Sequence, residues 1–548
     1  MNTMRVWPLR NSAVFLCAVL IAGCGGGGGS STPTSKPSPP PPLAQYSIGG
    51  TDSALVGTGL VLQDNGGDNL SVSADGSFTF KTMITSGGTY DVTVLTQPSS
   101  PAQTCQVTNA SGTATANVTN VAVDCGHNEW TWMGGSKSAN AVGVYGTLGT
   151  AAAGNIPGGR AVAGSWIDTS GNVWLFGGLG YDSAGTGGYL NDLWKYSNGE
   201  WTWMGGSDLV NQAGVYGTEG VAAAANIPPG LGSPMAWIDS SGNFWLFGGY
   251  NYNGSGGARA FLNALWKYST GEWTWMGGSD LADQAGVYGT EGVAAAANTP
   301  GARIQGETWT DASGNLWLFG GVGYDSAGTE GILNDLWKYS NGEWTWVGGS
   351  DLANQVGVYG TKGVAAAANI PGARSEATIW TDALGNVWLF GGYGYDSAGT
   401  GGYLNDLWKY SNGEWTWMGG SDLANQAGAY GTEGVASASN LPPSRYGAVG
   451  WTDSKGDFWL FGGANASYLS DLWEYRNGEW TWMSGPTLAN QVGTYGTMGT
   501  ANPGNIPGAR RYSAAWVDAQ GNLWLFGGHG YDSAGTVGQL NDLWKYEP

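Results

Sequence analysis

Histidine is nearly missing from this chain: His127 and His529 are the only two in 548 residues. With so little histidine no Ser-His-Asp triad and no histidine-built zinc cluster is expected. Cysteine is as scarce, with four copies and none after Cys125. Basic side chains number 20 against 41 acidic ones, for a net charge of -21. That balance excludes nucleic acid as a partner and repels anionic lipid surfaces. Sustained helical periodicity is absent, and 99 glycines are too many for long helices. The one extended apolar run, Ala13 to Ala22, is too short to span a bilayer.

What is present repeats. Leu175-Phe176-Gly177-Gly178, Asn191-Asp192-Leu193-Trp194-Lys195-Tyr196 and Glu200-Trp201-Thr202-Trp203-Met204 return about every 71 residues, and the di-glycine recurs at Gly248, Gly320, Gly391, Gly462 and Gly527. Six copies at a fixed period mean a structural module that buries its apolar face against its neighbours. Each module reads as four short strands. Ser165 to Asp168 turns through Thr169-Ser170-Gly171 into Asn172 to Phe176; Leu193 to Tyr196 turns through Ser197-Asn198-Gly199 into Trp201 to Trp203. The expected fold is all-β.

A di-glycine closing one strand, followed by a Tyr with six residues between it and a Trp (Tyr196 to Trp203), resembles the Kelch repeat. The resemblance covers residues 129–548 and implies a six-bladed β-propeller. The chain ends on a third strand, Leu543 to Tyr546, and its missing fourth stands at the other end as Glu129 to Met133. Pairing the two would close the last blade and remove an exposed sheet edge. Each repeat exceeds the Kelch length by about 20 residues. Strand alternation puts that surplus on one face, in the loop from Leu179 to Thr186 and the connection from Gly205 to Pro228, where binding is expected. Galactose oxidase shares the architecture, but its copper site uses two histidines and a tyrosine cross-linked to cysteine, which this segment lacks. Sialate mutarotases resemble it in ring size and use polar side chains without metals. No cofactor is expected. The recurrent Tyr-Asp-Ser-Ala-Gly-Thr loops (Asp182, Asp325, Asp396, Asp532) offer Ca²⁺ one carboxylate each, against the six to eight oxygens it takes. An Asp/Ser turn is the plainer reading.

Arg5 and Arg10 ahead of the apolar run have the form of an export signal, residues 1–23. Leu20-Ile21-Ala22-Gly23-Cys24 resembles the lipobox of bacterial lipoproteins, with Cys24 lipidated; an ordinary signal with an incidental cysteine is the alternative. Residues 24–42, rich in Gly, Ser and Pro, read as a tether. The expected location is the bacterial cell envelope, at the outer membrane through the lipid anchor. Residues 43–127 read as a small β domain from the alternation in Val61-Leu62, Leu70 to Val72, Phe78 to Phe80 and Tyr90 to Val94. They resemble the Ig-like or transthyretin-like β-sandwich modules of bacterial surface proteins. In an exported chain the remaining two cysteines, Cys105 and Cys125, argue a disulfide.

The repeats disagree most just before the first-strand Trp, where Gln305, Glu307, Glu376, Tyr446, Arg511 and Tyr512 are the polar or aromatic novelties. First strands line the central channel of a propeller, so these six are the ligand-binding candidates. The alternative is relaxed packing of a wet channel. A different pattern joins Arg160, Arg303, Arg374, Arg445 and Arg510 to Asp192, Asp335, Asp406, Asp471 and Asp542: the second repeat alone loses both, as Leu231 and Ala264. Joint loss suits a buried ion pair, because removing one partner strands the other charge. The leading functional expectation is a non-enzymatic binding or scaffolding protein for a protein or carbohydrate ligand. The alternative is an enzyme acting on a sugar at the channel mouth.

Overall fold

The computed structural model describes residues 43–548 except 56, 100–102 and 253–258; the export signal, Cys24 and the tether lie outside the described residues. The fold is all-β, with forty strands and no helix among the described residues, and is of propeller type. Six sheets repeat one antiparallel plan. In the first, Gly164–Ile167 pairs with Val173–Tyr181, which pairs with Gly187–Ser197, which pairs with Glu200–Gly205. Trp130–Gly134 supplies the outer strand beside Val537–Tyr546, with Trp130 opposite Tyr546. The first strands touch one another in chain order, and Ala514–Val517 touches Gly164–Ile167.

The core follows from period-two alternation with both faces covered. Leu175 packs with Trp524 and Phe526 of the sixth sheet, while its neighbour Phe176 packs with Phe244 and Leu246 of the second. Successive residues thus serve two interfaces, each such side chain contributing about 1.5–3 kcal/mol.

Two sequence readings need correction. The segment Leu179 to Thr186 is not all loop: the second strand runs on to Tyr181 and the third begins at Gly187, so that only Asp182 to Thr186 is left as the turn of a hairpin. Gly177 and Gly178, at φ 62° and 99°, form a bulge that bends the strand without ending it. Nor does the surplus length all sit on one face. The connection before each sheet runs down that sheet's outer edge, where Ala152, Ala223, Ala295, Ala366 and Ser437 bridge Trp201, Trp273, Trp344, Trp415 and Trp480. In the sixth, Gly499 donates to the Trp132 carbonyl at 2.8 Å and Asn505 Nδ2 to that of Trp130 at 2.9 Å. These segments occupy backbone groups that an edge strand would otherwise leave open.

Residues 43–127 hold two four-stranded sheets, one from Gly76–Thr79, Ile48–Ser53, Val118–His127 and Thr104–Thr108, the other from Asp68–Val72, Leu60–Asp64, Thr89–Thr96 and Ser111–Thr113. Ile48, Leu60, Leu62, Phe78, Val92 and Val121 share one core. The Cys105–Cys125 disulfide is formed across a separation of 20 residues, worth roughly 3 kcal/mol by loop entropy.

Candidate functional site

In five sheets the repeated arginine and aspartate meet in full burial. Arg160 Nη1 and Nη2 donate to Asp192 Oδ1 and Oδ2, both at 2.7 Å, and Nη1 also to the Gly177 carbonyl at 3.0 Å. Arg303–Asp335, Arg374–Asp406, Arg445–Asp471 and Arg510–Asp542 repeat this at 2.6–2.7 Å. The fork ties the first strand to the third across the glycine bulge. Each aspartate also accepts from a tyrosine and an indole, as Asp192 does from Tyr145 at 2.6 Å and Trp194 at 2.7 Å. The tyrosines recur in the sequence, but their contact with an aspartate 41 or 47 positions on is tertiary. In the second sheet, buried Leu231 and Ala264 lie in an apolar cluster, while Tyr216 keeps its ring contact with Trp266 at 4.8 Å. The five guanidiniums are fully buried against their aspartates.

Between the two parts of each first strand sits a left-handed residue: Val162, Ser233, Gln305, Glu376, Gly447 and Tyr512, at φ 51° to 64°. Only Gly447 adopts this freely. Their backbones link from sheet to sheet. Ser233 donates to Val162, Val162 to Tyr512, Tyr512 to Gly447, Gly447 to Glu376 and Glu376 to Gln305, at 2.9–3.1 Å. This chain of peptides rims a cleft of about 300 Å³, where Gln305, Glu307, Glu376 and Tyr512 come together.

Glu307 is buried; Oε1 accepts the Ala377 N–H at 2.7 Å and Oε2 has no hydrogen-bond partner. Burial pushes its carboxyl up to about 8, against the pull of the Ala377 N–H and Arg374. Glu376 Oε2 accepts the Tyr512 hydroxyl at 2.7 Å, and burial raises it to about 7 although Tyr512 and Arg511 favour its charge. Carboxyls raised this far above their ordinary range keep their protons to higher pH, and in the protonated form they can donate as well as accept hydrogen bonds.

The other two candidates lie beside the cleft rather than in it. The Arg511 guanidinium lies 5.0 Å from the Tyr446 ring, 5.4 Å from Tyr468 and 4.7 Å from Tyr512. Tyr446 stacks on Tyr403 at 5.4 Å. Tyr468 also hydrogen-bonds His529 Nδ1 at 2.8 Å, and burial, then Arg511, lowers the histidine. His529 is half-buried in this cluster. Tyr468 escaped the sequence reading; its signal was the shortened segment Ala464 to Ser467, found in the fifth repeat alone. In the Asp182 loop, Oδ1 accepts the N–H groups of Ala184 and Thr186 and Oδ2 that of Val210.

No family model matches the chain. No curated protein matches it. Among solved structures, "Structure of YjhT" aligns at a TM-score of 0.41 and 15% identity, over 71% of this chain and 95% of its own. A structure described as a novel fungal alcohol oxidase with catalytic diversity among the AA5 family, in complex with copper, aligns at 0.38 and 13% identity, over 74% of this chain and 77% of its own. Scores this low assign no chemistry to the cleft.

Proposed function

We propose that the six sheets are the blades of a closed β-propeller, that residues 43–127 are a β-sandwich module, and that the chain is a lipid-anchored envelope protein binding a carbohydrate at its channel mouth. The cyclic contacts of the first strands and the pairing of Trp130–Gly134 with Val537–Tyr546 support the ring. The observation that carries the ligand class is the convergence of unrepeated polar side chains, Gln305, Glu307, Glu376 and Tyr512, in one cleft. Carboxyl, amide and phenol groups offer donors and acceptors to hydroxyls, and the tyrosines at the rim offer flat apolar faces. A glycan array probed with the purified protein tests this. Binding to a restricted glycan set, lost in Glu376→Gln, is the expected result; uniform absence of binding moves the ligand to the protein class.

A second reading, a sugar-active enzyme, is favoured by Glu307: a buried carboxyl raised to about 8 with one oxygen unpartnered is suited to general acid work. Accelerated anomeric exchange of the bound sugar by NMR, abolished in Glu307→Gln, would establish it.

A further inference from the structure

Away from the channel, a cavity of about 440 Å³ opens where the fifth sheet meets the outer strand of the sixth. Its floor includes Glu129, just 3% exposed. The equivalent glutamates Glu200, Glu272, Glu343, Glu414 and Glu479 are all half-buried. Residues 43–127 make the difference: Gln103 Nε2 donates to Glu129 Oε1 at 2.7 Å and to the carbonyls of Ala54 and Cys125. Glu129 Oε2 is left buried with no hydrogen-bond partner, and so is Oγ of Ser484, a residue that lines the same cavity. Ser484 stands where the other outer strands have Gly134, Gly205, Gly277, Gly348 and Gly419, and Pro486 replaces a repeated serine. Trp130 and Trp482 wall the space, and Glu433 adds a second carboxylate.

A carboxylate oxygen buried without a partner is costly, and indole faces attract cations. Together with the apolar Pro486 they match a charged head on an aliphatic stem. We propose that this cavity binds a primary ammonium carried on a short alkyl chain, as on a lysine side chain, with Glu129 as its counter-ion and Ser484 Oγ as a further acceptor. Glu129 is raised to about 7 by burial, with Asp124 adding repulsion against the Gln103 hydrogen bond. Tyr546 and Glu433 are the other titratable groups it faces. Ammonium binding therefore expels a proton from Glu129, and affinity should rise from pH 6 to pH 8.

The test is calorimetric titration of the full chain with Nα-acetyl-lysine methylamide and with its neutral isostere Nα-acetyl-norleucine methylamide at pH 8. The expected result is saturable binding of the lysine probe, at least tenfold tighter than the norleucine probe. Glu129→Gln keeps an acceptor for Gln103 and should abolish that preference. Ser484→Gly, the residue of the other five strands, should weaken the lysine probe about threefold, and it carries the test if the glutamine variant does not fold. Binding of neither probe, which would mean a merely hydrated cavity, overturns the proposal. So does equal binding of both, or a lysine affinity indifferent to both substitutions.

Discussion

The Tyr512 hydroxyl donates to Glu376 Oε2 at 2.7 Å across 136 residues of sequence. Both residues are left-handed, at φ 63° and 61°, and Gly447 lies between them in the chain of backbone hydrogen bonds, donating to Glu376 and accepting from Tyr512. Backbone conformations disfavoured for a tyrosine and a glutamate are thus held by links between sheets. That places two dissimilar side chains in one cleft.

Tyr512→Phe removes the hydrogen bond that favours the Glu376 carboxylate. The Glu376 pKa should move above about 7, by roughly one unit if the bond is worth about 1.5 kcal/mol. Carbon-detected NMR titration of labelled glutamate reads it directly. An unmoved Glu376 would show that burial alone sets its proton affinity.

The ion pairs predict an asymmetry between single and double substitutions. Arg374→Leu leaves Asp406 buried without its cation and should destabilise the protein by about 3–5 kcal/mol. Arg374→Leu with Asp406→Ala recreates the Leu231 and Ala264 arrangement and should cost less than the single change. Denaturant unfolding of the three proteins decides it, and an additive double mutant would count against the pair acting as a unit.

The edge-covering connections should resist aggregation as well as unfolding. Asn226 Nδ2 donates to the Val221 and Trp273 carbonyls at 2.9 and 3.1 Å. Asn226→Ala removes both bonds, for a loss of about 1–3 kcal/mol. Light scattering at elevated temperature should show earlier association, because the strand carrying Trp273 then presents an open edge. Unchanged scattering would mean that the bridge from Ala223 suffices.

Stability should decline on the alkaline side. Glu129, Glu307 and Glu376 are raised in the folded chain to about 7, 8 and 7. The native state then holds protons that the unfolded chain has released above about pH 4.5, so stability falls as pH rises through 7 to 8. Asp168 behaves oppositely: against burial, hydrogen bonds from Trp174 and Asn172 hold it low, a contribution lost as pH falls into the acid range. Thermal unfolding should therefore peak at mildly acidic pH, and Glu307→Gln should flatten the alkaline limb.

Anchoring at Cys24 has its own check. Mass spectrometry of the mature protein should place the N-terminus at Cys24 carrying acyl chains, and Cys24→Ala should abolish detergent partitioning. A mature N-terminus anywhere else refutes the anchor.

The sequence alone determined the module, its count and its strand order, because period-two alternation and recurrent Gly, Asp and Asn turns are local signals repeated six times. The joint absence of an arginine and an aspartate at Leu231 and Ala264 made the ion pairs legible as well, since a buried charge leaves its mark on both partners. Tertiary structure alone decided the rest. Whether the residues after Gly177-Gly178 end a strand or bend it depends on a partner strand across the bulge, which no local propensity encodes. The surplus length of each repeat reads as loop until an outer strand is there to accept its hydrogen bonds. Glu129 matches five other glutamates in sequence, yet it alone is buried, because Gln103 from residues 43–127 is hydrogen-bonded to it. Glu307, Glu376 and Tyr512 differ from their repeat partners in plain view, but their meeting in one cleft follows from the links between sheets, and burial there sets their proton affinities.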